Sequence, residues 1–127
     1  MQEEKLLPTE IVASILSNLP GKKKKLPTEL RKIHPIFFSM RNSGIGILQD
    51  FSFDNRGTFP YSSTIDQALS NLETSRVLGR TNPDLDKYVI TQGLKNYYQR
   101  YIKNKLDSPR LEEVKKVARE LSQIATK

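Results

Sequence analysis

The segment that most constrains the fold is RVLGRTNPDLDKYVITQG, which covers residues 76–93. Two short β-prone stretches, Val77-Leu78 and Tyr88-Val89-Ile90, flank the turn-forming sequence Asn82-Pro83-Asp84. Stretches this close together predict an antiparallel hairpin. Thr91 is then placed to cap a helix that follows at once. The chain must therefore accommodate a β-hairpin that is joined directly to a helix.

Five other segments carry apolar residues at the spacing of one helix face. The first ends at a Leu-Pro-Gly breaker, and the second contains Pro35, which predicts a kink or two short helices because proline lacks an amide hydrogen. Ser63 is the candidate N-cap of the third. The predicted helices cover Thr9–Asn18, a region from near Pro27 to near Asn42, Ser63–Thr74, Gln92 to about Lys105, and Pro109 to about Ala125.

A short strand is predicted over Ile47–Phe53, where Phe51 and Phe53 share one face, and a turn follows it. The fold class is thus mainly α with a small β-hairpin or sheet (α+β). A length of 127 residues suits one domain, and no apolar run approaches the roughly 18 residues needed to span a membrane.

The composition narrows the function. The chain has no cysteine, which excludes disulfides, cysteine-based zinc sites and thiol nucleophiles. The acidic N-terminus lacks the layout of a signal peptide, so we expect a cytoplasmic protein without a membrane partner. The net charge of +7 favours nucleic acid as a partner, and simple solubility is the alternative.

The order helix, helix, strand, helix, hairpin, helix resembles a winged helix-turn-helix domain with an extra C-terminal helix. The stretches IDQALSNLETSRVLGR, NPDLD and KYVITQGLKNYY carry the resemblance, which covers Pro8 to Ile102. GTFPYSSTIDQAL is also similar to a segment of small phage-associated and antitoxin-like members. The resemblance implies a winged-helix domain over residues 1–106. Residues 107–127 would form an amphipathic helix that packs on this domain or mediates dimerisation.

In winged-helix proteins the third helix usually enters the DNA major groove. Here it carries no lysine or arginine, while Asp66 and Glu73 are anionic. Its outward polar residues are therefore either base-reading groups or an ordinary solvent-exposed face. The candidate base-reading residues are Gln67, Ser70, Asn71 and Thr74.

Phosphate contacts are predicted outside that helix, at the first loop, the second helix and the hairpin. The alternatives are a solvated lysine loop and hairpin charges that prevent edge-to-edge strand pairing. Arg56 is a weaker candidate of the same kind. The candidate phosphate-binding residues are Lys22, Lys23, Lys24, Lys25, Arg31, Lys32, Arg80 and Lys87.

Two other patterns leave alternatives open. Tyr97, Tyr98 and Tyr101 alternate with basic residues, which can indicate stacking on single strands, but their helical spacing favours a place in the core. The last helix presents an apolar stripe that either docks on its own domain or pairs two subunits into a homodimer. The candidate dimerisation residues are Leu111, Val114, Ala118 and Leu121.

Nothing in the sequence indicates an enzyme. His34 is the single histidine, and no carboxylates have the spacing of a metal or catalytic site. We therefore expect no catalytic residue, metal or cofactor. The leading hypothesis is a basic winged-helix protein that binds double-stranded DNA as a transcriptional regulator. The alternative is a winged-helix module for protein–protein interaction, antitoxin-like or an adaptor, without sequence-specific DNA binding.

Overall fold

The computed structural model describes residues 5–127, which form a helical body and a small antiparallel sheet. The elements follow one another as α1 (Pro8–Ser17), β1 (Lys25–Pro27), α2 (Leu30–Asn42), a 3-10 turn (Gly46–Leu48), α3 (Ser63–Thr74), β2 (Leu78–Arg80), β3 (Lys87–Ile90), α4 (Gln92–Tyr97), a π turn (Tyr98–Ile102), a second 3-10 turn (Lys103–Lys105) and α5 (Ser108–Ser122). The expected α+β class is thus confirmed.

Helix α1 is buried on all sides. Every residue from Glu10 to Leu16 is buried, and the helix contacts α3, α4, the π turn and α5. The Glu10 carboxylate is satisfied although it is buried, because Leu7 N–H donates to it (2.9 Å) and Lys105 Nζ binds its second oxygen (2.7 Å). The ion pair therefore ties the segment after the π turn to the start of α1.

Helix α2 runs through Pro35 without a break, so the predicted alternative of two short helices is wrong. Ile33, His34 and Phe37 on its inner face are all buried. Packing of that face offsets the loss of one backbone hydrogen bond at the proline, since tertiary contacts rather than propensity supply most helix stability.

The predicted hairpin is confirmed, with Leu78 opposite Ile90 and Arg80 opposite Tyr88. A third strand, β1, pairs with the other edge of β3 and gives the order β1-β3-β2. Lys25, which was predicted to lie in a loop, is the first residue of this strand. Both Lys24 and Lys25 N–H donate to the Thr126 carbonyl (2.9 Å each). The chain after α5 therefore covers the outer edge of β1.

The strand predicted over Ile47–Phe53 is wrong. Gly46–Leu48 form a 3-10 turn instead, and the buried Phe51 ring stacks on Phe37 with 6.5 Å between ring centroids. The turn is held by Glu113 of α5, whose carboxylate accepts hydrogen bonds from the N–H groups of Gly46 (2.7 Å) and Ile47 (3.2 Å). Charge-assisted bonds to a distant helix thus replace strand pairing here.

The fourth helix is regular only to Tyr97 and then widens into the π turn. In a regular α-helix, Tyr101 would share the face of Leu94 and Ile102 would lie about 80° away, at about 100° per residue. A π turn has more residues per turn, so successive residues are rotated about the helix axis by less than about 100°. This smaller rotation brings Ile102 into the core beside Leu94 and moves Tyr101 outward. The core prediction is right for Tyr98 but wrong for Tyr101, which is 58% exposed.

Helix α5 docks on its own chain. Three residues of the stripe, Val114, Ala118 and Leu121, are fully buried, and Leu111 is partly buried. Their partners lie on α1, α2 and the Gly46–Leu48 turn. Of the two alternatives, the structure has the intramolecular one. A dimer through this stripe would require α5 to leave its own core.

We expect Leu121→Ala to lower the free energy of unfolding by about 3 kcal/mol, because it leaves a cavity in a fully buried site. The loss should not depend on protein concentration, as it would if the stripe joined two subunits. Urea unfolding over a wide range of protein concentrations measures both the loss of stability and its dependence on concentration. A midpoint that rises with concentration would contradict intramolecular docking.

Candidate nucleic-acid interface

The start of α3 is fixed by a buried network that also involves α2. Ser62, not the predicted Ser63, is the N-cap, and its hydroxyl accepts a hydrogen bond from Ile65 N–H (3.3 Å). The N–H of Ser62 donates to Nδ1 of the buried His34 (3.0 Å), and the His34 ring stacks on Tyr61 with 5.1 Å between centroids. These contacts fix α3 relative to α2.

An open groove of about 350 Å³ lies between α3 and the hairpin. It brings two predicted base-reading residues, Gln67 and Ser70, beside the hairpin residues Arg80 and Tyr88. Sequence periodicity predicted which face of α3 points outward. It did not predict the groove, which forms because the hairpin folds back along α3.

The candidate base-reading residues are all exposed, but two of them are engaged in hydrogen bonds. Gln67 Nε2 donates to Asn71 Oδ1 (2.9 Å), and Asn71 Nδ2 donates to Thr9 Oγ1 at the start of α1 (3.1 Å). Ser70 and Thr74 lie on the same exposed face of α3. The amide pair is therefore oriented before any ligand arrives.

Both carboxylates of α3 are partnered. Tyr61 Oη donates to Asp66 (3.0 Å), and this hydrogen bond raises the pKa of the Tyr61 hydroxyl. Arg80 binds Glu73 through two hydrogen bonds of 2.8 and 3.0 Å, and its guanidinium lies 5.2 Å from the Tyr88 ring centroid. The hairpin arginine predicted to bind phosphate thus neutralises an acidic residue of α3.

The other predicted phosphate-binding residues fall into two groups. Arg31 and Lys32 lie at the start of α2, close to the hairpin turn, because Thr28 N–H donates to the Asp86 carbonyl (3.1 Å). Lys87 pairs with Pro27 at the same end of the sheet. The lysine loop lies at the other end of β1, where Lys23 Nζ donates to the Ser122 carbonyl of α5. It comprises Lys22, Lys23 and Lys24, and Lys25 follows as the first residue of β1.

Several of these cations have acidic partners. Glu29 lies 3.8 Å from Arg31 and 3.1 Å from Lys32, with all three side chains about half or more exposed. Arg56 binds Asp54, and this bond lowers the pKa of the Asp54 carboxyl to about 2. Exposed pairs of this kind are worth little in water, so a phosphate can displace the carboxylate.

The hairpin turn presents a residue that the sequence analysis did not single out. Leu85 lies in this turn with a left-handed backbone (φ 56°) and is 48% exposed.

Residues 5–127 contain no group of three acidic or histidine side chains placed to hold a metal ion. No helix among them is both long and apolar enough to cross a membrane.

Comparisons of the chain with protein-family models, with curated proteins and with solved structures give no match.

Acidification should destabilise the fold through His34. Burial lowers the pKa of this imidazole from its usual value of 6.5, and the nearby Asp66 opposes the shift only in part. As pH falls through 6.5, the unfolded chain takes up a proton that the folded chain resists, so stability present above that pH is lost below it. Protonation would also remove the acceptor for Ser62 N–H.

Urea unfolding at about pH 7.5 and about pH 5 measures this loss of stability. His34→Asn is the matched control, because its amide oxygen can accept from Ser62 N–H but does not titrate. The variant should show a flatter dependence on pH. An equal dependence in both proteins would mean that another group is responsible.

Proposed function

We propose that the protein is a small winged-helix protein that binds double-stranded DNA and acts as a transcriptional regulator. The observation that carries this proposal is the groove in which the exposed polar face of α3 lies beside the hairpin strands. The connection supports it as well, because α3 leads after a short turn into β2, and the hairpin's second strand is the centre of the sheet. In this proposal α3 is the recognition helix, and the hydrogen bond from Ser62 N–H to His34 links its start to α2.

In this proposal α3 enters the major groove of the duplex. Gln67 and Asn71 are amides of the type that pairs bidentately with adenine, and Ser70 can reach either bases or phosphates. Their mutual hydrogen bond lowers the cost of ordering them on binding. Because Glu73 is paired with Arg80, α3 presents less negative charge to DNA than its sequence indicates.

The cations beside the hairpin hold the duplex in this orientation. Arg31, Lys32 and Lys87 surround the end of the sheet that carries the hairpin turn. The lysine loop lies at the opposite end of β1 from the hairpin turn, and in this proposal it contacts only flanking phosphates. The predicted phosphate-binding residues thus divide, in this proposal, into a primary and a secondary set of contacts.

The protein-interaction alternative is favoured by one feature of α3. The helix has no cation, and the groove beside it includes Asp66 and Glu73. A partner with a basic surface would suit this groove better than phosphate does. The two proposals therefore differ in the sign of the charge that the groove accepts.

Fluorescence anisotropy against a labelled random-sequence duplex, at low and near-physiological salt, separates the two proposals. We expect the protein to bind the duplex. The logarithm of the association constant should fall steeply with the logarithm of salt concentration, with a slope of about 0.9 per phosphate contact. No binding even at low salt would overturn the DNA proposal and leave the protein partner.

Charge variants then test the proposed orientation. Arg31→Gln with Lys32→Gln should weaken duplex binding and reduce the salt slope by up to about 1.8, since each phosphate contact contributes about 0.9. Lys22→Gln with Lys24→Gln removes the same charge from the lysine loop and should cost less. The reverse order would contradict the assigned orientation.

Base reading by α3 is tested by Gln67→Ala. Binding to random duplex should change little, whereas the sequence selected from a random pool should change, since a bidentate amide contact discriminates by about 1–3 kcal/mol. Ser63→Ala, also exposed and in the same groove, is the control. An equal loss on every duplex would exclude a base-reading role for Gln67.

A further inference from the structure

A long carboxylate-free segment comprises the last residues of β3, α4 and the turns after it, away from the groove of α3. Residues 88–106 contain no aspartate or glutamate but four cations. One of these, Lys105, binds Glu10. The other three, Lys95, Arg100 and Lys103, form no ion pair within residues 5–127. This part of the molecule therefore carries positive charge that nothing in the described chain neutralises.

A groove of about 310 Å³ collects part of that charge. It lies between the end of α1, the π turn and α5, and three lysines from two segments line it: Lys95, Lys103 and Lys115. Its lining contains no carboxylate, and it includes the amide side chains of Asn18 and Gln99. Converging cations repel one another unless an anion lies between them, so the groove suits a phosphate group.

A second depression, of about 580 Å³, adjoins the first, and Gln99 lines both. Its walls include Tyr97, Arg100 and Tyr101. The two tyrosine rings lie 5.9 Å apart at an angle of 48°. Because the π turn moves Tyr101 out of the core, its ring is open to solvent beside the unpaired Arg100.

We propose that this α4 surface, formed by Lys95, Gln99, Arg100, Tyr101, Lys103 and Lys115, binds single-stranded nucleic acid. A base stacks on Tyr101 and on the Arg100 guanidinium, while neighbouring phosphates lie against the three lysines. Single strands fit better than a duplex, because an exposed ring reaches the face of a base only when that base is unstacked.

The α4 surface is separate from the groove of α3 that carries the duplex proposal. Strand β3 runs away from the hairpin turn, and α4 begins beyond its far end, after the Thr91 cap. None of the residues of the α4 surface lines the groove between α3 and the hairpin. Either site can therefore exist without the other.

The test is anisotropy titration of the full chain against a labelled oligothymidine of roughly 12 nucleotides, within the ~4–16 nucleotides that one single-strand binding fold covers. Tyr101→Ala should weaken binding by roughly tenfold or more, the effect expected for loss of one stacked base. Tyr101→Phe keeps the ring and should bind nearly as wild type. Because Tyr101 is exposed, neither substitution should change the urea midpoint.

Lys115 offers a charge test with a matched control. Lys115→Gln should weaken oligothymidine binding and reduce its salt slope by about 0.7. Lys116→Gln removes an adjacent exposed cation that does not line the groove, and it should have less effect. Wild-type affinity in Tyr101→Ala, or equal effects of the two lysine substitutions, would overturn the proposal.

The two proposed sites are distinguished by crossing probes and variants. Tyr101→Ala should leave duplex affinity unchanged, and Arg31→Gln with Lys32→Gln should leave oligothymidine affinity unchanged. Equal losses on both probes from either variant would mean one shared, nonspecific basic surface and would overturn a separate single-strand site. Failure of duplex binding alone would leave the α4 surface intact.

Discussion

The burial of α1 is the constraint on which the rest of the structure depends. A helix that is buried on every side has no solvent face, so other segments must surround it. Helices α3 and α5, and the α4 segment with its π turn, do so. The one acidic side chain buried with it, Glu10, is satisfied by Leu7 N–H and Lys105. Removing Lys105 alone would leave a buried carboxylate without its counter-ion, which is costly. The proposed duplex and single-strand surfaces are thus carried by elements packed on one helix.

Much of the fold could be predicted from local patterns. Helix α3 has the predicted bounds, α1 begins one residue early, the hairpin pairs as expected, and Thr91 caps α4. These features depend on neighbours within a few residues, such as apolar spacing, turn formers and cap side chains. Periodicity and capping rules describe such interactions directly.

The errors share a different cause. The region around Gly46 is shaped by Glu113, and β1 exists because β3 and Thr126 supply its partners. Helix α2 tolerates Pro35 because its inner face is buried, and Tyr101 leaves the core because of a π turn. In the first three cases a distant contact decides the outcome, and one sequence without its fold does not reveal that contact. In the last, the π turn changes the helical spacing on which the prediction relied.

The candidate sites divide in the same way. Exposure of Gln67, Ser70, Asn71 and Thr74 followed from helical periodicity. The hydrogen bonds of these residues could not be predicted in this way, since Thr9, the partner of Asn71, lies 62 residues away in the sequence. Pairing of Arg80 with Glu73 also changes the role of a residue that the sequence alone assigned to phosphate. Charge counted along the chain therefore overstates the positive field at the hairpin, whereas the unpaired cations of the α4 surface retain theirs.

The bond between Glu113 and the Gly46 turn also bears on how the protein is made. Glu113 follows Gly46 by 67 residues, so a growing chain contains the link between α2 and α3 long before its anchor is synthesised. Until α5 emerges, Ile47 lacks the contact that holds its turn, and the faces of α1 and α2 that α5 covers stay open to other chains. Folding of the body is thereby delayed until α5 has been synthesised, and a ribosome that stalls before α5 would release a chain with exposed apolar surface.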